Sequence, residues 1–242
     1  MHLDGKIILV AGGATGIGAA TARLCAQRGA QVIVADRDEV SGKTVAAECR
    51  GLFLAVNVAD EISVAAMYAQ IDAKYGRLDV LLHTAGILKG AYVPLEEFPL
   101  ETFRNVIEVN TIGSFLCVKH AVPLFEKAGK GVIVLVSSGA ATGGSSSFAY
   151  GTSKGGVNSL GVLFNNALGT KNIRVNVVSP GNIDTPLKRS VIVAEVERRG
   201  KPEEFDKAMQ QAHLGTPEGE ARVLAWLASD DADYVRGMVT TR

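Results

Sequence analysis

Short, largely apolar runs recur along the chain, separated by stretches in which apolar residues return every third or fourth position. The runs fall at residues 6–11, 31–35, 52–56, 78–82, 132–136 and 174–178, with Asp79, Arg174 and Asn176 as polar interruptions. Most lack the alternation of a half-exposed strand, so they predict strands covered on both faces. The intervening stretches predict helices: one ending at Arg28 with Gly29 as its cap, then 40–49, 61–75 stopped by Gly76, 102–127 and 150–169. Pro123 is expected to kink or tighten the last turns of the fourth, because it has no N–H to give the preceding turn. Strand and helix alternate throughout, which predicts an α/β fold, a single doubly wound parallel sheet of about seven strands with helices on both faces. No linker or compositional break interrupts the pattern, so residues 1–242 are expected to form one domain.

The first predicted strand empties into Gly12-Gly13-Ala14-Thr15-Gly16-Ile17-Gly18, and the second ends at Asp36-Arg37. Strand, glycine-rich turn, helix, strand and acid, in that order, make a phosphate cradle of the Rossmann type. Glycines at 12, 16 and 18 let the backbone close on a pyrophosphate, whose charge then rests on free N–H groups at the helix start. Asp36 follows Gly18 by 18 residues, close to the ~20 expected of an acid that grips a ribose. Ligands of such sheets gather at the carboxyl ends of the strands. Here those ends also carry Asn57-Val58, Ala85-Gly86, Ser137-Ser138 and Pro180-Gly181.

Beyond the fifth strand, Tyr150 and Lys154 stand four apart on a predicted helix and so project from one face. An ammonium beside a phenol favours the phenolate and is expected to draw its pKa from ~10 toward neutrality. Tuned in that way, a tyrosine can give or take the proton of a substrate oxygen, which a serine hydroxyl from the strand end can hold. Such a pair also occurs by chance on surface helices. Its place on the same sheet edge as the cradle is what gives it weight.

Composition narrows the classes. Lysine plus arginine (25) equals aspartate plus glutamate (25), so no global field points to nucleic acid or to an anionic membrane. The three cysteines, Cys25, Cys49 and Cys117, show neither disulfide nor zinc spacing; no metal site is expected, and a reducing compartment is. The stretch from Met1 to Lys6 runs into a strand without a signal-peptide apolar region. No apolar run approaches the ~20 residues that span a bilayer. A cytoplasmic protein is expected.

Taken together, these motifs resemble the short-chain dehydrogenase/reductase family, in its common subgroup of chains of this length. The likeness runs from about Gly5 to Gly237. It rests on Gly12-x-x-x-Gly16-x-Gly18, Asn110 in Val109-Asn110-Thr111-Ile112-Gly113, the Ser–Tyr–Lys set, and Pro180-Gly181 with Thr185 behind it. The resemblance implies an NAD(P)-binding domain with a substrate loop or lid near residues 185–215, and a catalytic tetrad. Tyr150 would donate or accept the proton, Lys154 would lower its pKa and bind the nicotinamide ribose, Ser138 would hold the substrate oxygen, and Asn110 would anchor a proton-relaying water. From the residues alone, Asn110 reads as a helix-interior asparagine bonded to backbone. The register of the fifth strand selects Ser138, whereas the family's usual spacing counted back from Tyr150 selects Ser137; strands hold register where loops absorb deletions, which favours Ser138. The implied cofactor contacts are Gly12, Thr15, Gly16, Ile17, Gly18, Asp36, Arg37, Asn57, Val58, Ala85, Gly86, Pro180, Gly181, Ile183 and Thr185, with Tyr150 and Lys154.

Three departures from the family pattern stand out. His83-Thr84 replaces Asn-Asn, with His83 expected as a satisfied structural histidine; Asn57 replaces an aspartate at the adenine; and Thr240-Thr241-Arg242 stops short of an Asp-Gly-Gly tail. Asp36 accepts ribose hydroxyls and repels a 2′-phosphate, and Thr15 stands where phosphate-binding relatives tend to be basic. Both favour NAD, with Arg37 the dissenting feature. The expected activity is hydride transfer between NAD(H) and a small-molecule secondary alcohol or ketone. The alternatives are an NADPH-dependent ketone or oxoacyl reductase, or a non-catalytic dinucleotide sensor. Surplus small and apolar residues on helices 102–127 and 150–169 suggest a homo-oligomer, tetramer or dimer, as is common in the family.

Overall fold

A computed structural model describes residues 2–241; Met1 and Arg242, which bear on the leader and tail expectations above, lie outside the described residues. Seven parallel strands form one sheet in the order β3-β2-β1-β4-β5-β6-β7. They are β1 (Ile7–Ala11), β2 (Gln31–Asp36), β3 (Leu52–Ala55), β4 (Val80–His83), β5 (Gly131–Val136), β6 (Ile173–Ser179) and β7 (Gly237–Thr240). The helices are α1 (Gly16–Gln27), α2 (Glu39–Glu48), α3 (Glu61–Tyr75), α4 (Leu100–Ile107), α5 (Gly113–Ala128), α6 (Phe148–Leu168), α7 (Pro186–Arg198), α8 (Phe205–Gln211) and α9 (Pro217–Ala228).

Alternation along each strand sends side chains to two cores, which is why the strands read as continuously apolar. Ile7, Leu9 and Ala11 join Ile71, Leu81, Phe125 and Val157 on the side of α3, α5 and α6. Ile8 and Val10 join Cys25, Val45, Leu224 and Leu227 on the side of α1, α2 and α9. The strand order reverses between β1 and β4, so their carboxyl ends diverge and open a crevice there.

Some elements differ from expectation. The helix expected over 102–127 is two helices, α4 and α5, joined by a π turn at Glu108–Ile112. Asn110 sits inside that turn, fully buried. Its side chain accepts the Ile87 N–H (2.8 Å) and donates to the Ile87 carbonyl and the Ser153 hydroxyl (both 2.9 Å). These bonds reward the wider turn, and apolar periodicity does not register it. Pro123 lies within α5, which continues to Ala128. The last helix and strand, α9 and β7, extend the alternation; Arg174 fastens the end of α9 by donating to the Leu227 and Ser229 carbonyls (2.8 and 3.0 Å), and β7 pairs with β6. Among the described residues, no helix is long and apolar enough to cross a membrane.

Candidate active site

A cavity of about 620 Å³ runs along the carboxyl edge of the sheet, from the glycine turn to α6. Its walls contain every residue expected at the cofactor or the reaction centre except Asn110, which packs behind them.

At one end lies the cradle. Gly12 has φ +84°, and a Cβ there would fall 2.4 Å from the Ala85 backbone nitrogen; one on Gly18 would fall 2.1 Å from the Gly12 carbonyl oxygen. The Thr84 hydroxyl donates to the Ala11 and Gly12 carbonyls (2.9 and 3.1 Å), bracing the turn from β4. Thr15 precedes α1 with extended backbone, makes no capping side-chain bond, and no acid occupies the first turn. The positive end of the helix is therefore left for an anion. Asp36 is half-buried at the rim, its carboxylate accepting the Ala14 and Asp38 N–H groups (3.0 and 3.1 Å). Arg37 is exposed beside it. The Asn57 side-chain oxygen accepts the Ala59 N–H at 3.2 Å.

At the other end stand the groups with proton chemistry. The buried Ser137 hydroxyl donates to the Lys154 carbonyl at 2.9 Å, tying β5 to α6. The half-buried Ser138 hydroxyl accepts the Ala140 N–H at 3.2 Å and lines the cavity close to the Tyr150 side chain. Ser147 caps α6 by accepting the Tyr150 N–H at 3.3 Å, which sets where Tyr150 leaves the helix. Lys154 donates to the Val136 carbonyl at 2.8 Å, and its ammonium lies 5.8 Å from the Tyr150 ring centroid. A Cβ on Gly86 would stand 3.2 Å from that ammonium and 3.3 Å from Asn110 Oδ1, so the glycine leaves the space between them open. The Asn110 carbonyl accepts the Ser114 hydroxyl at 2.6 Å.

A family model described as enoyl-(acyl carrier protein) reductase matches residues 12–241. The cis-4-hydroxycyclohexanecarboxylate dehydrogenase of Sinomonas cyclohexanicum is 40% identical over 243 residues, covering 97% of this chain and 93% of that protein. A 3-oxoacyl-(acyl-carrier-protein) reductase of Thermotoga maritima is 36% identical over 249 residues, covering 99% and 96%. The crystal structure of levodione reductase superposes with a TM-score of 0.90 at 28% identity, covering 97% of this chain and 95% of that one. The chain belongs to the short-chain dehydrogenase/reductase family.

Members of this family are oxidoreductases that move hydride with a nicotinamide dinucleotide and act on small molecules, and this short-chain dehydrogenase/reductase is one of them. Its residues fit such a group: the cradle is closed to any Cβ at Gly12 and Gly18, and the helix start beside it carries no counter-charge.

Electrostatics at the reaction end run against the sequence expectation. Burial pushes the Tyr150 phenol up, opposed by the Ser138 hydrogen bond. Burial also lowers Lys154, to about 8. Both groups are desolvated, and desolvation disfavours the charged form of each, so in the protein alone the lysine does not draw the phenol down. His83 departs from expectation too. It is buried with neither ring nitrogen hydrogen-bonded among the described residues. Burial, then the Lys154 charge, depresses its pKa to about 3 and keeps it neutral.

The lysine has a measurable consequence. Moving its pKa from 10.5 to about 8 costs the ammonium form about 3 kcal/mol. Below pH ~8 that penalty is present in full. Between about 8 and 10.5 the unfolded chain holds the proton that the native one has shed, so stability rises with pH across that window. Lys154→Met keeps the stem and removes the charge. After losing the bond to Val136, it is expected to raise Tm by ~3–6 °C at pH 7, with the gain fading toward pH 10. Thermal unfolding at the two pH values checks this; a lower Tm than wild type at pH 7 contradicts it.

No motif marks Tyr92, yet it lines the same cavity, half-buried and at φ 61°, a left-handed backbone for a residue other than glycine. It lies against α7, which with α8 forms the segment expected as a lid; a bridge between Ile183 and Gly215 closes the base of that segment.

Proposed function

We propose that this protein is an NAD-dependent dehydrogenase that interconverts a secondary alcohol and its ketone. The observation that carries the reading is that Ser138, the buried Tyr150 and the buried Lys154 line one end of the cavity together, opposite the phosphate cradle. A nicotinamide dinucleotide held in this cavity would supply hydride transfer to and from the carbinol carbon. The chain must then manage one proton and one oxygen. Ser138 donates a hydrogen bond to the substrate oxygen and fixes its position. Tyr150 takes the carbinol proton in oxidation and returns it in reduction. The Lys154 ammonium, while it is charged, opposes the burial that holds the phenol up, and it would bind the nicotinamide ribose. Asn110 holds the loop at Ile87, and through it the wall facing Lys154, with a relay water as its further role. Gly12, Thr15, Gly16, Ile17 and Gly18 would hold the pyrophosphate and Asn57 and Val58 the adenine; Ala85 and Gly86, the latter beside Lys154, and Pro180, Gly181, Ile183 and Thr185 would line the rest of the dinucleotide's path. Residues 1–242 act as one dinucleotide-binding domain, with 185–215 as the substrate lid.

Relatives whose names denote dehydrogenation of a ring hydroxy acid and reduction of an oxoacyl group bracket the alcohol–ketone chemistry. The NAD-dependent dehydrogenase is preferred here because Asp36, half-buried at the rim of the cradle, suits ribose hydroxyls and would repel a 2′-phosphate. The second reading, an NADPH-dependent oxoacyl reductase, draws on Arg37, which lines the cavity next to Asp36. NADH appearance at ~340 nm with a panel of secondary alcohols tests the activity; absence of turnover across alcohols and the matching ketones would remove it.

Cofactor choice has its own test. Asp36→Ser deletes a carboxylate that can receive ribose hydroxyls, bonds worth roughly 1.5–3 kcal/mol when charge-assisted. It is expected to lower kcat/KM for NAD by about 10- to 100-fold and to improve NADP. Paired Michaelis constants with both cofactors check this, and wild type favouring NADP would sink the assignment. Exposed Phe115, Val162 and Leu163 on α5 and α6, with Phe115 stacked on Phe164 at 6.3 Å, support a homotetramer built through these helices. Three free, buried cysteines suit the cytoplasm.

A further inference from the structure

The lid helix α7 and the loop after β4 meet at the wall of the cavity through one cluster of side chains. The Tyr92 N–H donates to the Ser146 carbonyl at 2.6 Å, and its hydroxyl donates to the Glu195 carboxylate at 3.2 Å. Glu195 is also paired with Arg199, one turn along α7. The Arg198 guanidinium lies 5.2 Å from the Tyr92 ring centroid. Glu195 thus answers Tyr92 and Arg199. Among the described residues, Arg198 has that ring as its partner and no carboxylate.

A second cavity, of about 580 Å³, opens at this cluster. Tyr92, Ala140, Gly143, Gly144, Ser145 and Ser146 line both cavities, so the two share a wall. The second also reaches Gly151, the residue after Tyr150, and its one charged lining residue among those described is Arg198. The rest of its lining is apolar, glycine or serine.

We infer that the second cavity is the distal half of the substrate site and that Arg198 there anchors a carboxylate carried by the alcohol, away from its carbinol. This rests on the dehydrogenase reading and adds the substrate class: a hydroxy acid. A guanidinium presents a planar fork that matches a carboxylate with two parallel hydrogen bonds. Stacking on an aromatic ring fixes the plane of the fork without consuming its donors. Arg198 is exposed at the mouth of this cavity, where water solvates it; a neutral hydroxyl can accept single N–H bonds from it, whereas a carboxylate takes two at once and adds the attraction of opposite charges.

The test uses three probes with NAD: cis-4-hydroxycyclohexanecarboxylate, its primary amide, and cyclohexanol. Wild type is expected to favour the acid over the amide by about tenfold or more in kcat/KM, the range of a charge-assisted bond at a partly solvated site. Arg198→Met is expected to collapse that ratio toward one, chiefly through KM for the acid, and Arg198→Lys to retain part of it. NADH affinity and Tm of each variant report on folding. An acid-to-amide ratio near one in wild type, or a ratio that survives Arg198→Met, overturns the inference. So does oxidation of neutral alcohols with the acid refused, and in both cases the dehydrogenase reading stands. Failure to oxidise any of the three probes or any alcohol of the wider panel removes the dehydrogenase reading and the anchor with it.

Discussion

Tyr150→Phe is expected to cut kcat by about a thousandfold while leaving the affinity for NADH within about threefold of wild type. The substitution keeps a ring in a buried position and deletes one oxygen, the only group on the side chain that can carry a proton. Ser138 retains the Ala140 N–H, so its hydroxyl stays in place without the phenol. The phosphate cradle and Asp36 lie at the far end of the cavity and are not disturbed. The pH profile adds a readout that a packing defect does not mimic. Burial holds the Tyr150 phenol above its ordinary value and Lys154 at about 8, so oxidation by wild type should accelerate as pH rises through this coupled pair. The residual rate of the phenylalanine variant should lack that rise. Steady-state kinetics across pH, with NADH fluorescence titration, decide the matter. Residual turnover within tenfold of wild type, with the same pH profile, takes Tyr150 out of the acid–base role.

How far the sequence alone reached differs from element to element. Strands buried on both faces announce themselves as apolar runs, so β1 to β6 and the parallel sheet were readable, as was the edge at which Gly12, Asp36, Ser138 and Tyr150 gather. The π turn at Asn110 was not. It adds width to a helix without altering its apolar face, and its cause is a set of bonds to Ile87, distant in sequence. Ser137 and Ser138 are the same residue type on one strand end, and only their surroundings separate them: the buried Ser137 hydroxyl is spent on the Lys154 carbonyl, while that of Ser138 accepts the Ala140 N–H and keeps its proton free to donate. The expected lowering of the phenol by its lysine failed because spacing shows proximity but not burial, and burial is the larger effect here. His83 was expected to be satisfied because buried polar groups mostly are; its neighbours on the adjoining strands, Ala11 and Leu135, offer its ring nothing. Tyr92 and Arg198 carry no motif. Their encounter depends on how the lid lies over the loop after β4, which is set by tertiary packing.

Gly12→Ala is expected to damage both folding and cofactor binding, lowering Tm by about 5–15 °C and weakening NADH binding by more than about tenfold. Two costs add at this position. With φ at +84°, an alanine pays about 1–2 kcal/mol for left-handed backbone. Its Cβ would also stand 2.4 Å from the Ala85 nitrogen and 2.5 Å from the Ala85 Cα, backbone atoms that cannot rotate away, so β1 and β4 must part at their carboxyl ends. Overpacking of this kind costs roughly 1–3 kcal/mol, and in a chain of this size each kcal/mol moves Tm by about 2–4 °C. Gly76→Ala separates the two costs, since Gly76 has φ +69° with nothing within 4 Å of the added carbon. It should show the backbone cost alone, a loss of Tm of a few degrees, with NADH affinity unchanged. Thermal unfolding and NADH titration of both variants make the comparison. If Gly12→Ala proved no worse than Gly76→Ala in either measurement, the close approach of β4 to the turn would not be what shapes the cradle. The crevice where β1 and β4 diverge would then lose its claim to be the dinucleotide site.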